Sequence, residues 1–254
     1  MVELEPRVRN HAAAWSDFDA EEYWKFNFAT VLPEDAQIIR TASKFLTKAC
    51  KAPKRFEAAV DVGAGTNLYP GLLMLPWAER ITFTEYAESN IDWLRKHLVE
   101  TSGVWQWQPF WDLVADQRCY QDIADPRPGL AEAHEVCYGS IFDLPERTWD
   151  LGSMFFVADG ITEDEAEFEA AVRAFLRSLK PGAPFLMAFM EGSTGYDVRG
   201  VRFPSVRVTK KSLEALLAQL PVKVDGPLLR TDNRFQPLRP GYDAMLLVTG
   251  WVTE

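Results

Sequence analysis

Residues 58–62 read Ala-Ala-Val-Asp-Val, a short, almost unbroken apolar run that gives way at once to Gly63-Ala64-Gly65-Thr66-Asn67. A run that is apolar at nearly every position, rather than at alternate ones, belongs to a strand covered on both faces. Glycines directly after it let the backbone turn tightly, and residues 68–75 then read as helix. The same alternation continues downstream. Residues 80–86 are β-branched and aromatic and predict a strand; residues 89–100 predict a helix with Ile91, Leu94 and Leu98 on one side. Short strands are predicted over 136–141, 149–157, 185–190 and 245–252. Helices are predicted over 35–50, 163–179 and 212–220, with Lys180-Pro181-Gly182 ending the second of these. Strands that alternate with helices of this length imply a mostly parallel sheet with helices on both faces.

Such sheets bind ligands at the carboxyl ends of their strands, near the point where strand order reverses. The candidate site therefore comprises residues 63–69, 85–90, 139–141, 155–159 and 191–196. Glu85 ends the strand after the glycine turn, where an acid can accept both hydroxyls of a ribose. Leu68 stands near where a dinucleotide fingerprint would place its third glycine, so bulky side chains replace the close approach a pyrophosphate needs. A cofactor with a ribose and an adenine but no phosphate tolerates that loss. On the glycines alone S-adenosylmethionine is favoured over a nicotinamide cofactor.

Composition narrows the class further. Of 254 residues 37 are acidic and 27 basic, for a net charge of −10, which argues against contact with a nucleic-acid backbone. Cys50, Cys119 and Cys137 are far apart and without Cys-x-x-Cys spacing, and His11, His97 and His134 are the only histidines, so neither a disulfide framework nor a metal site is expected. The N-terminus lacks an apolar signal region and no stretch is long enough to span a membrane. The expectation is a cytoplasmic protein, monomeric or weakly self-associating, whose partner is a small molecule. Aromatic residues make up 13% of the chain, including nine Trp, enough to thicken a core or to line a pocket for something flat or cationic.

The order of Tyr23, Phe28, Asp61-Val-Gly-Ala-Gly-Thr-Asn-Leu-Tyr69 and Thr84-Glu-Tyr-Ala-Glu-Ser-Asn90 resembles the nicotinamide, phenylethanolamine, thioether and indolethylamine N-methyltransferases. The similarity continues in Trp105-Gln-Trp107-Gln-Pro109, Leu179-Lys-Pro-Gly182 and Glu191-Gly-Ser-Thr-Gly-Tyr196, then reaches Phe203. The resemblance implies a Rossmann-like class I methyltransferase, a mostly parallel seven-stranded sheet with residues 1–50 as an N-terminal helical lid and 51–254 as the S-adenosylmethionine-binding core. It implies transfer of a methyl group to a small molecule, most readily to an amine nitrogen, with S-adenosylhomocysteine as product.

The resemblance also implies roles by position. Tyr23 and Phe28 would cover the cofactor from the lid, with Tyr23 also facing the acceptor. Gly63, Ala64 and Gly65 would pass beneath the methionine part, with Asn67 and Tyr69 near its carboxylate. Glu85 would hold the ribose, Tyr86 would stack on adenine and Asn90 would bond the ribose or carboxylate side. Gly139, Ser140, Ile141 and Phe155 would complete the adenine and sulfonium surroundings; the family's acid after the third strand is matched here by Gly139-Ser140, or by Asp143 if the alignment slips. On the acceptor side Glu191 is the leading carboxylate, with Asp159 and Asp243 behind it. Competing readings are an O- or C-methyltransferase, an NAD(P)-dependent oxidoreductase and a cofactor-binding protein without catalysis. Residues 105–111 read as core or a surface hairpin rather than pocket, and the acids at 163–165 as the favourable first turn of a helix.

Overall fold

The computed structural model describes residues 7–50, 55–231 and 241–254. In chain order its elements are α1 (Ala20–Phe28), α2 (Pro33–Ala49), β1 (Phe56–Val62), α3 (Tyr69–Met74), β2 (Ala78–Glu85), α4 (Glu88–His97), α5 (Gln108–Trp111), α6 (Pro126–Ala133), β3 (His134–Tyr138), β4 (Leu151–Phe155), α7 (Glu165–Ser178), β5 (Pro184–Glu191), β6 (Tyr196–Val198), β7 (Val201–Phe203), α8 (Lys210–Leu217), β8 (Val222–Val224), β9 (Leu229–Arg230) and β10 (Ala244–Val252). The main sheet runs β3-β2-β1-β4-β5-β10-β8, with β9 beside β10. The first five of these strands pair in parallel, whereas β10 runs antiparallel to β5, β8 and β9. The expected seven strands are this path, and the two-residue β9 adds an eighth. Strand order reverses between β1 and β4, which sets the ligand cleft there.

Side chains alternate between two cores, one on each side of the sheet. On β5, Phe185, Met187 and Phe189 pack toward α7 and α8, while Leu186 and Ala188 join the opposite core with α2 and α3. Because both faces are covered, the strands are apolar at consecutive positions, which is the pattern that marks them in the sequence. Helix α2 buries Ile38, Ile39, Ala42, Phe45 and Leu46 and packs on β10. It belongs to the sheet's covering layer, and none of its residues lines the cleft.

Gly71 supplies a close approach displaced from the usual fingerprint position. A Cβ there would meet the Phe83 ring at 2.5 Å, so glycine lets α3 press directly on β2. Helix α8 begins ahead of the expected 212–220 because Thr209 caps it, its hydroxyl accepting from the Ser212 N–H at 3.1 Å. Trp105, Trp107, Phe110 and Trp111 are buried, and their segment includes the short helix α5 rather than a hairpin, with Trp107 packed on Phe28 at 5.6 Å between ring centroids. The hairpin that does exist, β6–β7, and the strands β8 and β9 are too short for periodicity to disclose them.

Candidate active site

The cleft forms where β1, β2 and β4 end. Gly63 and Gly65 sit at φ +62° and +55°, a left-handed geometry that costs an ordinary residue about 1–2 kcal/mol. Gly63 is further confined, since a Cβ would lie 2.6 Å from a Val157 methyl. Glu85 holds this turn in place. One carboxylate oxygen accepts from the Gly65 N–H at 2.8 Å, and the other accepts from the Tyr86 and Ala87 N–H groups at 2.7 and 2.9 Å. Burial raises its pKa, and these N–H donors together with Asn90 oppose the rise.

Three polar atoms in the same wall, Thr66 Oγ1, Asn67 Nδ2 and Asn90 Oδ1, are buried without a hydrogen-bond partner among the described residues. Buried polar atoms are normally satisfied, so these mark a surface built for a ligand rich in donors and acceptors. A cofactor carrying a ribose and an amino-acid end fits that set. Around it lie Gly139, Ser140, Ile141 and Phe155, and Tyr86, whose ring stacks on Tyr138 at 5.7 Å. From the N-terminal segment come Tyr23 and Phe28, and Ala64 also lines the cleft.

Tyr69 is the expected cofactor residue whose ring is not part of this lining. It is buried behind the cleft, stacked on Phe110 at 5.9 Å and edge-on to Phe28 and Phe155. Its contribution is to brace two rings that do face the cleft. Conversely, Asn10, Trp15 and Phe18 line the cleft although the sequence offers no signal for them, because only the return of the N-terminal segment across the strand ends brings them there.

A second cavity adjoins the first, and Tyr23, Phe156, Gly160 and Tyr196 line both. Phe156 adopts φ +61°, a rare conformation for an aromatic residue, and its N–H donates to the Ala188 carbonyl at 2.7 Å. That strained residue holds its place at the junction of the two spaces. Of the acids that line this cavity, Glu22, Asp159 and Asp197, Asp159 is the buried one. It is 1% exposed, one oxygen accepts from the Met190 N–H at 2.7 Å, and Oδ1 has no hydrogen-bond partner among the described residues. Burial pushes its pKa up to about 7 against the pull of the Met190 N–H.

Glu191, the leading acceptor-side acid from sequence, lines neither cavity. Its carboxylate accepts from the Lys210 N–H at 3.0 Å, at the start of α8, and pairs with Arg230. The parity of β5 explains this: Glu191 continues the face of Phe185, Met187 and Phe189, whereas Met190 turns toward the second cavity. Asp243 donates its N–H to the Glu191 carbonyl at 2.7 Å and likewise lines neither space.

Asp61, on β1, is buried with its pKa raised to about 8, chiefly by burial; the Ser153 hydroxyl donates to it at 2.6 Å. A carboxyl that keeps its proton when folded but loses it near pH 4 when unfolded stabilises most at low pH. That contribution falls as pH rises and is gone above about 8. Asp61→Asn, which keeps an acceptor for Ser153, is expected to flatten the decline in urea-unfolding free energy between pH 5 and 9 by a few kcal/mol. An unchanged slope would show that Asp61 is ionised in the folded chain.

A sequence model of the NNMT/PNMT/TEMT family matches residues 7–249. The chain belongs to the NNMT/PNMT/TEMT family. Among related proteins, a nicotinamide N-methyltransferase of Sus scrofa is 28% identical over 233 residues, covering 85% of this chain and 86% of that protein. Among solved structures, the fold matches the 1,6-didemethyltoxoflavin-N1-methyltransferase of Burkholderia thailandensis, bound to 1,6-didemethyltoxoflavin and S-adenosylhomocysteine. That match has a TM-score of 0.58 and 17% identity, and covers 99% of this chain and 93% of that one. The N-methyltransferase NodS of Bradyrhizobium japonicum WM9 also matches, at TM-score 0.53 and 11% identity, over 87% and 99% of the two chains. This member of the NNMT/PNMT/TEMT family is a class I S-adenosylmethionine-dependent methyltransferase of small molecules. The nicotinamide-dependent oxidoreductase alternative falls with that membership. No helix among the described residues is long and apolar enough to cross a membrane.

Proposed function

We propose that the enzyme methylates an amine nitrogen of a small acceptor with a flat apolar body, held in the second cavity with its nitrogen toward Asp159. The observation that carries this reading is the buried, half-satisfied Asp159 carboxyl beside a junction walled by Tyr23, Phe156 and Tyr196. S-adenosylmethionine supplies a methyl group on a sulfonium, ready for in-line displacement. The chain has to align a neutral nucleophile and dispose of its proton, which demands positioning more than covalent chemistry. Gly63, Ala64 and Gly65 would present main chain to the methionine part, with Asn67 beside it; Glu85 and Asn90 would hold the ribose. Tyr86 and Ile141 would flank the adenine, and Phe28 would close from above. Tyr23 and its aromatic neighbours tolerate positive charge on either sulfonium or ammonium.

A carboxyl with a pKa of about 7 is partly ionised at neutral pH and can neutralise an ammonium or receive its proton. The kcat/KM for an amine is therefore expected to rise with pH through about 7. Asp159→Asn should remove that limb and lower kcat/KM roughly 100-fold, while binding of S-adenosylhomocysteine stays within about twofold. Turnover of a panel of amines and phenols, followed by mass increase, tests the reading. Unchanged kcat/KM for amines in Asp159→Asn, or phenols turned over as fast as amines, would overturn it.

A further inference from the structure

We propose that Glu163, just ahead of α7, and Glu167, on its first turn, are positioning residues that hold residues 7–19 as a strap closed over the cofactor cleft. Acids at the start of a helix are ordinarily explained by the helix dipole and by capping. Here that local duty falls to Asp164, whose side chain accepts from the Ala166 N–H at 2.8 Å and the Glu167 N–H at 3.4 Å. Its other oxygen pairs with Arg9 of the strap at 2.8 Å, an exposed ion pair, and the two glutamates reach outward to the strap's main chain. Glu163 accepts from the Val8 N–H at 2.9 Å and returns its own N–H to the Val8 carbonyl at 2.8 Å. Glu167 accepts from the Asn10 N–H at 2.9 Å. Both side chains are half-buried, so these charge-assisted bonds are partly shielded from competing water.

The fastening matters because the next residues of the strap reach the ligand space. Asn10 and Trp15 line the cleft, and the Trp15 indole N–H donates to both the carbonyl and the side-chain oxygen of Asn10 at 3.0 Å. Fixing the Asn10 N–H therefore fixes the indole. At its other end the strap is tied by the Ser89 hydroxyl, which donates to the Phe18 carbonyl at 2.6 Å, and by the Asp19–Arg199 ion pair at 2.8 Å. A segment tied at both ends across the opening must release one end before a ligand leaves. Loss of an anchor raises the open fraction, which speeds release and weakens apparent affinity by the same population shift.

The proposal rests on the cofactor reading of the cleft, and one experiment separates the two. Release of S-adenosylhomocysteine is followed by stopped-flow tryptophan fluorescence in the full chain and in the pair Glu163→Ala with Glu167→Ala. The alanine pair is expected to release it about tenfold faster and to raise the KM for S-adenosylmethionine by a similar factor, with no fall in kcat. The pair Glu163→Gln with Glu167→Gln keeps an acceptor oxygen at each position and should lie near the unaltered chain, a rescue that a purely structural role of α7 would not produce. Asn10→Pro removes the donor from the strap side and leaves α7 intact, so it decides the matter if the alanine pair does not fold. Release within twofold of the unaltered chain in the alanine pair, or in Asn10→Pro if that pair does not fold, overturns the proposal alone. An unaltered chain that binds no S-adenosylhomocysteine overturns the cofactor reading and the proposal with it.

Discussion

Gly63→Ala is expected to lower affinity for S-adenosylhomocysteine by at least about 100-fold and to reduce the thermal midpoint by several degrees. Two costs combine at this position. The left-handed backbone disfavours any side chain by about 1–2 kcal/mol. The new methyl would also lie 2.6 Å from Val157, and a buried valine has no flexible end with which to yield. Relief requires the turn to move, and the turn is the floor on which the methionine part is proposed to lie. Gly103→Ala supplies the comparison: φ is +80° there, but nothing lies within 4 Å of the added Cβ, so only backbone strain is introduced. Calorimetric titration of both variants, with thermal melts, separates strain from collision. Gly63→Ala binding within threefold of the unaltered chain would show that the turn is not the cofactor's floor.

Glu85→Ala is expected to weaken the same ligand by about 100-fold, and Glu85→Gln by about tenfold. In the alanine variant the N–H groups of Gly65, Tyr86 and Ala87 lose their acceptor together, and an unsatisfied buried donor costs about 1–3 kcal/mol unless water enters. The glutamine variant keeps one carbonyl to serve part of that set, which gives the graded outcome. The carboxylate thus shapes the glycine turn before any ribose arrives, so its removal should cost both affinity and stability. Equal affinity in Glu85→Ala and the unaltered chain would end the ribose assignment.

Legibility in the sequence tracks the range of the forces involved. The glycine turn, the acid at the end of β2 and the doubly covered strands are set by backbone geometry and neighbours close in the chain, so local pattern discloses them. Asp159 ranks behind Glu191 in the sequence because its burial comes from β5 and the β6–β7 region, which meet it only in the folded chain. Glu163 and Glu167 are masked by a sufficient local explanation, the acidic start of a helix. Glu191 is the instructive case. Counting alternate positions back from it along β5 gives Phe189, Met187 and Phe185, the face toward α7 and α8, so strand parity alone directs it away from the cofactor. The aromatic load divides in the same way: Trp107, Phe110 and Tyr69 brace the cleft from behind, while Tyr23, Phe156 and Tyr196 face the space where the two cavities meet.

The placement of β10 has a bearing on how the enzyme is made in a cell. It comes after every other strand of the sheet in the chain, yet it is inserted between β5 and β8. Until it leaves the ribosome, the inner edge of β5 presents unpaired backbone beside Leu186, Met187 and Ala188, an apolar edge open to pairing with other chains. Synthesis and completion of the sheet are thereby coupled: the nascent chain has its glycine turn, its cleft acids and its strap well before it has a closed sheet to support them. Slow elongation through residues 200–243 would prolong exposure of that edge, and chaperone dependence is expected to concentrate in this interval.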